Sequence, residues 1–251
     1  MFTDTHAHLS FPDFSEDLPV VIERAQTAGV GGIVTVATGL EDARRALEIA
    51  GQFEGVYAAV GLHPGDEPVA EPASVRKLPV SGKIVAVGET GLDYYRGRAH
   101  KQEQRYLFAA HLAFAKEHDK PVIIHNREAG ADLLEILREF RPAGVMHCFS
   151  GGEKFAFDCI ELGLFISYSG ILTFENAAAL RAVAKAVPLE NVLLETDCPY
   201  LAPQPYRGKR NEPAHIPLIA QALAQIKSVS VEEVARATTA NACRLFRIPA
   251  P

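Results

Sequence analysis

Pro121-Val122-Ile123-Ile124-His125 is a short apolar, β-branched run that ends on a histidine. Before it, Ala99 to His118 reads as a long helix, with apolar residues at Tyr106, Leu107, Ala110, Ala113 and Phe114. After it, Glu128 to Phe140 reads as another helix. A compact apolar run between two amphipathic stretches is a buried strand covered on both faces. The same unit recurs outward in both directions. Strands are expected at Met1–Thr5, Gly31–Ala37, Gly55–Gly61, Lys83–Gly88, Pro121–Ile124, Gly144–Met146, Leu164–Tyr168 and Val192–Leu194. The remaining helices are expected at Leu18–Ala28, Glu41–Gly51, Glu153–Gly163, Glu175–Val187, Ala214–Lys227 and Val231–Phe246. Asp66–Pro79 is proline-rich and weakly patterned, so a loop with a short helix is expected there. Regular alternation implies an α/β fold with a parallel sheet. Eight units in 251 residues fit a closed (β/α)8 TIM barrel, a single domain over 1–251, better than an open sheet.

Composition narrows the class. Hydrophobic residues make up 48% of the chain, enough for a sizeable core, and no apolar run approaches the ~18 residues a membrane span needs. The N-terminus lacks the basic and apolar segments of a secretory signal, so a cytoplasmic enzyme is expected. The four cysteines, Cys148, Cys159, Cys198 and Cys243, show no Cys-x-x-Cys spacing and suggest no disulfide framework. A net charge of −6 argues against a broad basic face for duplex DNA. It leaves room for a local phosphate site, because bound metal ions bring positive charge of their own.

Ligand-type residues fall at the ends of the expected strands. His6 and His8, in Asp4-Thr5-His6-Ala7-His8, are two apart and face one way on an extended strand. Glu89 follows strand four, His125 strand five, His147 strand six and Asp197 strand eight. In a barrel those ends share one face, the face that carries active sites. Four histidines and two carboxylates exceed one tetrahedral ion with an open position. They suit two divalent ions with Glu89 bridging, since a carboxylate offers two oxygens. Each residue alone has a plainer reading: a strand-end cap for His125, core for His147, a turn start for Asp197. Cys148 and Cys198 adjoin proposed ligands, but a strand neighbour faces the other way, so both are read as packing residues. His100, His111 and His118 lie on helical stretches and are expected at the surface.

The segments Asp4–Leu9, Gly61-Leu62-His63-Pro64, Gly88–Tyr95, His125-Asn126-Arg127, His147–Gly151, Glu195–Tyr200 and Arg210-Asn211-Glu212-Pro213 resemble the motif series of the TatD family, in that family's order and across nearly the whole chain. The resemblance implies a metal-dependent hydrolase within the wider amidohydrolase barrel group, with deoxyribonuclease activity in at least some members. It implies metal-binding positions at His6, His8, Glu89, His125, His147 and Asp197. Glu89 stands near the place where many amidohydrolase relatives use a carboxylated lysine.

The expected reaction is therefore phosphodiester hydrolysis by water activated at two divalent ions (Zn2+, Mn2+ or Mg2+), with Asp197 as general base. The ions and Arg127 would hold phosphate oxygens, because the guanidinium fork matches phosphate geometry. His63, after strand three, would donate a hydrogen bond to phosphate or leaving oxygen, or else orient a ligand. Tyr94 and Tyr95 would stack on a base or pack in the core. Arg96, Arg98, Arg207, Lys209 and Arg210 form a basic rim or ordinary solvated charges. The expected substrate is DNA, at single-stranded or frayed ends; no membrane and no obligate protein partner is indicated. Two rivals stay open: a hydrolase of a small amide, ester or lactone using the same ligands, and a non-catalytic nucleic-acid-binding protein with a structural metal.

Overall fold

The computed structural model describes residues 1–66, 69–80, 82–96 and 100–251. Eight strands, β1 (Phe2–Ala7), β2 (Val30–Val36), β3 (Val56–Val60), β4 (Ile84–Asp93), β5 (Val122–Arg127), β6 (Gly144–Met146), β7 (Leu164–Tyr168) and β8 (Val192–Leu194), form one parallel sheet in chain order. The helices α1 (Leu18–Thr27), α2 (Leu40–Gln52), α3 (Lys101–Glu117), α4 (Gly130–Phe140), α5 (Glu153–Glu161) and α6 (Ala178–Ala186) follow β1, β2, β4, β5, β6 and β7. A 3-10 helix at Pro72–Lys77 stands in the β3–β4 crossover, and both α7 (Ile216–Lys227) and α8 (Val231–Phe246) follow β8. No helix among the described residues is long and apolar enough to cross a membrane.

The sheet curls until its edges meet. Ala7 bridges Cys198 in parallel, the His8 N–H donates to the Cys198 carbonyl at 2.8 Å and the Asp197 N–H to the His6 carbonyl at 2.8 Å. Side chains finish the seam: the Thr5 hydroxyl donates to the Leu194 carbonyl, and buried Asp4 accepts from the Thr196 N–H and hydroxyl at 2.9 and 2.6 Å. Burial pushes the Asp4 carboxyl up to about 8, although those donations pull against it.

Alternation along the strands sorts the interior. Val34, Ala59, Ala86, Ile123, Val145, Phe165 and Leu193 form one apolar cluster, with a member from each of β2 to β8. Ala242, Leu245 and Phe246 of α8, with Ile248, join it and close the N-terminal end of the barrel. The larger cluster lies between the outer strand faces and the helices. Two residues beyond Ile123, Val145 and Leu193 come His125, His147 and Glu195, which a period of two aims at the other mouth. α8 begins with a capping interaction: the Ser230 hydroxyl accepts the Glu233 N–H at 3.1 Å.

β4 and β5 run longer than the apolar runs suggest. Their pairing continues through Thr90 with Ile124 to Asp93 with Arg127. Gly91 permits it: with φ at 141°, a Cβ there would stand 2.0 Å from the His125 carbonyl oxygen. The polar segments Glu89–Asp93 and His125–Arg127 are thus strand rather than loop, which fixes their side chains on a rigid wall. The helix expected from Ala99 begins outside the described residues; α3 is described from Lys101.

Candidate active site

At the C-terminal mouth of the barrel, a cavity of about 630 Å³ is lined by His8, His63, Glu89, Asp93, His125, Arg127, His147, Cys148 and Asp197 among others. Glu89, from β4, lies at its floor and divides its two oxygens. Oε2 stands 3.6 Å from His6 Nε2 and 3.8 Å from His8 Nε2. Oε1 stands 2.8 Å from His125 Nδ1, 3.0 Å from His147 Nε2 and 3.6 Å from His63 Nε2. Asp197 joins the first group, with Oδ1 3.3 Å from His8 Nε2 and 3.7 Å from His6 Nε2. Its left-handed backbone, φ 56°, turns the chain back over the mouth directly after β8. Buried Asn211 holds that turn by donating to the Thr196 and Tyr200 carbonyls at 2.9 and 2.7 Å. Arg210 pairs with Asp17, and Glu212 with Arg24, on either side of it.

Hydrogen bonds behind the rings set which nitrogen faces the cavity. His8 Nδ1 is 2.9 Å from the Val36 carbonyl, so in the neutral ring it carries the proton and leaves Nε2 a bare lone pair. His63 Nδ1 accepts the Gly65 N–H at 3.0 Å, so the proton of the neutral ring sits on Nε2, facing the cavity. His147 Nδ1 lies 3.1 Å from Glu195 Oε1. His6 Nε2 and His8 Nε2 approach to 3.2 Å.

The charges point the same way. Burial would raise the Glu89 carboxyl, but His147, His63 and the hydrogen bonds of His125 and His147 hold it well below the usual range. Burial likewise opposes Asp197, and His8, His147 and His6 bring it down. Burial pushes His6 down, with His147 adding to the effect. His8, His125 and His147 resist the same burial penalty and lie above their ordinary value, because Asp197, Asp93 and Glu89 respectively face them, and Glu195 also faces His147. Two anionic carboxylates and four imidazoles converging within a few ångströms form a site that a cation satisfies. His6, His8 and Glu89 offer ligand atoms within 4.8 Å of one another, as do His63, Glu89 and His125.

Five expectations need correction or addition. Tyr94 does not face the cavity: it is buried, its hydroxyl donates to Asp132 at 2.7 Å, and Lys101 covers its ring. The neighbouring Tyr95 is the exposed one, with the Arg127 guanidinium 3.9 Å from its ring centre. Cys148 lines the cavity rather than packing away from it, because φ 44° breaks the strand alternation at that residue. Burial raises its thiol well above the ordinary value, which disfavours the thiolate a metal needs. His111 is buried, not exposed; its Nδ1 meets the Leu107 carbonyl and its Nε2 accepts the Leu62 N–H at 3.1 Å, which steadies the strand end that carries His63. Among the basic residues, Arg96 lines the cavity, Arg207 covers Phe174, Arg210 is spent on Asp17, and Arg98 lies outside the described residues.

Two site residues escape the search for ligands at strand ends. Asp93 receives His125 Nε2 at 3.1 Å on Oδ2, while Oδ1 accepts the Arg96 N–H at 2.8 Å; despite the burial penalty, the His125 hydrogen bond and these contacts bring its carboxyl down to about 2. Glu195 lies one alternation below Asp197, buried behind His147. Counting in twos from Leu193 and from Glu89 reaches both.

Comparison with known proteins agrees. A family model described as TatD related DNase matches residues 3–247. The chain is 41% identical over 254 residues, 99% of this chain and 100% of the other, to YabD of Bacillus subtilis, an uncharacterized metal-dependent hydrolase. It is 36% identical over 256 residues, 98% and 97% of the two chains, to the 3'-5' ssDNA/RNA exonuclease TatD of Klebsiella pneumoniae. Among solved structures, YjjV, a TatD homologue from Escherichia coli K12, superposes with a TM-score of 0.93 at 35% identity, covering 99% of this chain and 98% of that one. The barrel, the charged cluster at its C-terminal mouth and these likenesses agree: the chain belongs to the TatD family, as a metal-dependent hydrolase.

Proposed function

We propose that this chain hydrolyses phosphodiester bonds at single-stranded or frayed ends of nucleic acid, DNA foremost, with two divalent cations held around Glu89. One observation carries the reading: Glu89 turns Oε2 to His6 and His8 and Oε1 to His125 and His147. His6, His8, Asp197 and one Glu89 oxygen would hold one ion; His125, His147 and the other oxygen would hold the second. Mixed nitrogen and oxygen donors suit Zn2+ or Mn2+, with Mg2+ a third choice where oxygens predominate. When bound, such ions lower the pKa of water and neutralise charge on the attacking and leaving oxygens.

The chain's own groups supply the rest. Asp197, ionised at neutral pH, accepts the proton of the attacking water. His63 presents Nε2–H to a phosphate or leaving oxygen, since Gly65 occupies its other nitrogen. Arg127, two residues beyond His125 on β5 and braced on Tyr95, reaches a phosphate with two parallel N–H groups. The acidic chain and the concave mouth favour an extended single strand over a stiff duplex, and the Klebsiella relative is named for such substrates. A cytoplasmic location accords with that chemistry.

The test is a metal-depleted preparation reconstituted with Zn2+, Mn2+ or Mg2+ and offered single-stranded DNA, RNA, duplex DNA and small esters or lactones. Metal-dependent cleavage of single strands ahead of duplex is expected. Turnover confined to the small esters would replace the nuclease reading with the small-molecule rival, and binding without turnover would favour the non-catalytic one.

A further inference from the structure

The two sides of the cavity differ in chemistry. In a ring closed in chain order, the seam between β8 and β1 stands across from β4 and its neighbours. Residues that end or follow β3, β4 and β5 supply a basic arc of His63, Arg96 and Arg127. Residues that follow β7, β8 and β1 supply an apolar arc of Ile171, Tyr200, Leu201 and Phe11. Glu89 lies on the floor between the two.

The apolar arc is held in place. Phe11 stacks on His8, with ring centres 4.6 Å apart and planes 13° from parallel. It also meets Tyr200 edge to face, at 6.3 Å and 77°. Main-chain bonds fix Tyr200: its N–H donates to the Asp197 carbonyl at 3.0 Å, and its carbonyl accepts from Asn211 at 2.7 Å. Gly170 lets the segment after β7 close on the loop after β8, since a Cβ there would stand 2.0 Å from the Leu201 carbonyl oxygen. Yet Tyr200 is 55% exposed. A ring on a fixed backbone with an open surface is a preformed stacking platform, which loses little freedom when it is covered. Tyr95 is exposed too, but the Arg127 guanidinium already lies 3.9 Å from its ring centre.

We propose that Tyr200, backed by Phe11, is a nucleobase subsite. The base of a nucleotide beside the scissile bond stacks on Tyr200, while the phosphate faces Arg127 across the mouth. The subsite rests on the nuclease reading of the Glu89 cluster. Every base has a π-face, so the platform selects for the presence of a base and tolerates any sequence. It also disfavours duplex, because a paired base has both faces covered by its neighbours and must leave the stack before it reaches the ring.

The test removes the base before it removes the ring. A single-stranded oligothymidylate carries one abasic tetrahydrofuran unit, moved one position at a time, and KM and kcat are read for the first cleavage. At one position beside the scissile bond, KM should rise about 10- to 100-fold while kcat changes less than about twofold. Tyr200→Ala should raise KM for the intact oligonucleotide by the same factor, with no further loss when the abasic unit occupies that position. Tyr200→Phe keeps the ring and should recover the wild-type KM. Cleavage indifferent to base loss at every position overturns the subsite, even if Tyr200→Ala does not fold. A loss in Tyr200→Ala that adds in full to that of the abasic unit also overturns it, as does a Tyr200→Phe that behaves like Tyr200→Ala. A wild-type protein that cleaves no oligonucleotide but hydrolyses small esters overturns the nuclease reading itself, and the subsite with it.

Discussion

Asp197 combines two duties that substitution affects differently. In the proposed mechanism it would belong to a ligand set, as an acceptor beside His8, and as an ionised group it would take a proton. Asp197→Asn should lower turnover by roughly 100-fold or more, and loss beyond that explained by measured Zn2+ content reports the base. Near-normal turnover with full metal would remove Asp197 from that role. Arg127→Ala should keep its metal and lose phosphodiester cleavage about 10- to 100-fold, the worth of a charge-assisted pair, while a neutral ester suffers less; equal losses on both would end the phosphate role. His111 permits a pH prediction. Burial brings its pKa down to about 4, so the unfolded chain, near 6.5, binds the proton first on acidification. Its stabilising effect is whole above pH 6.5 and declines toward pH 4, by about 2 kcal/mol between pH 7 and pH 5. In urea melts, His111→Asn should lose less stability over that interval than the wild type, and parallel losses would show that other groups dominate. At this scale the sequence is legible where a residue type stands out at a strand end, as with His6, His8, Glu89, His125, His147 and Asp197. Asp93, Glu195 and His111 do not stand out, because carboxylates and helical histidines are common and only neighbours in space distinguish them.

Among the elements, β6, β7, β8 and α8 have the bounds that the hydrophobic pattern predicts, the three strands as short, mostly apolar runs between glycine or polar breaks and α8 as an amphipathic stretch opened by Ser230. β4 and β5 do not, since their last residues are polar and a propensity argument stops where the apolar run stops. Ladder bonds and the close approach at Gly91 carry the strands onward. α6 and α7 start two or three residues late, each after a 3-10 or turn segment that composition alone blends into the helix. α8 has a role that periodicity hides: its last turns stop the barrel. Ser230→Ala should cost about 1 kcal/mol of stability through the lost cap and leave hydrolysis per folded molecule unchanged. A drop in turnover at full folding would mean that α8 communicates with the mouth.

For the molecule as a whole, the apolar interior and the charged mouth are separate assets. The core is extensive and owes nothing to a cation, so chelation should abolish hydrolysis while far-ultraviolet circular dichroism stays that of the folded protein. The midpoint of thermal unfolding should fall, because a ligand at a hundred times its Kd adds about 3 kcal/mol to the native state. Undiminished hydrolysis after thorough demetallation would rule the mechanism out. The α/β barrel class is legible because eight similar units leave few other ways to bury their faces; the manner of its closure is not, since Asp4 and Thr196 are unremarkable in one dimension.

The seam between β1 and β8 has a consequence for a chain still leaving the ribosome. Its hydrogen bonds join residues 192 apart in sequence. Glu89, His125 and His147 are all synthesised by residue 147, and that half of the cluster can assemble early on a growing sheet. The half that needs His6 beside Asp197 waits until nearly four-fifths of the chain has been made. A translation product terminated before residue 197 thus lacks the proposed proton acceptor, so on the proposed mechanism an incomplete chain is kept from being a hydrolase by the order of its own synthesis.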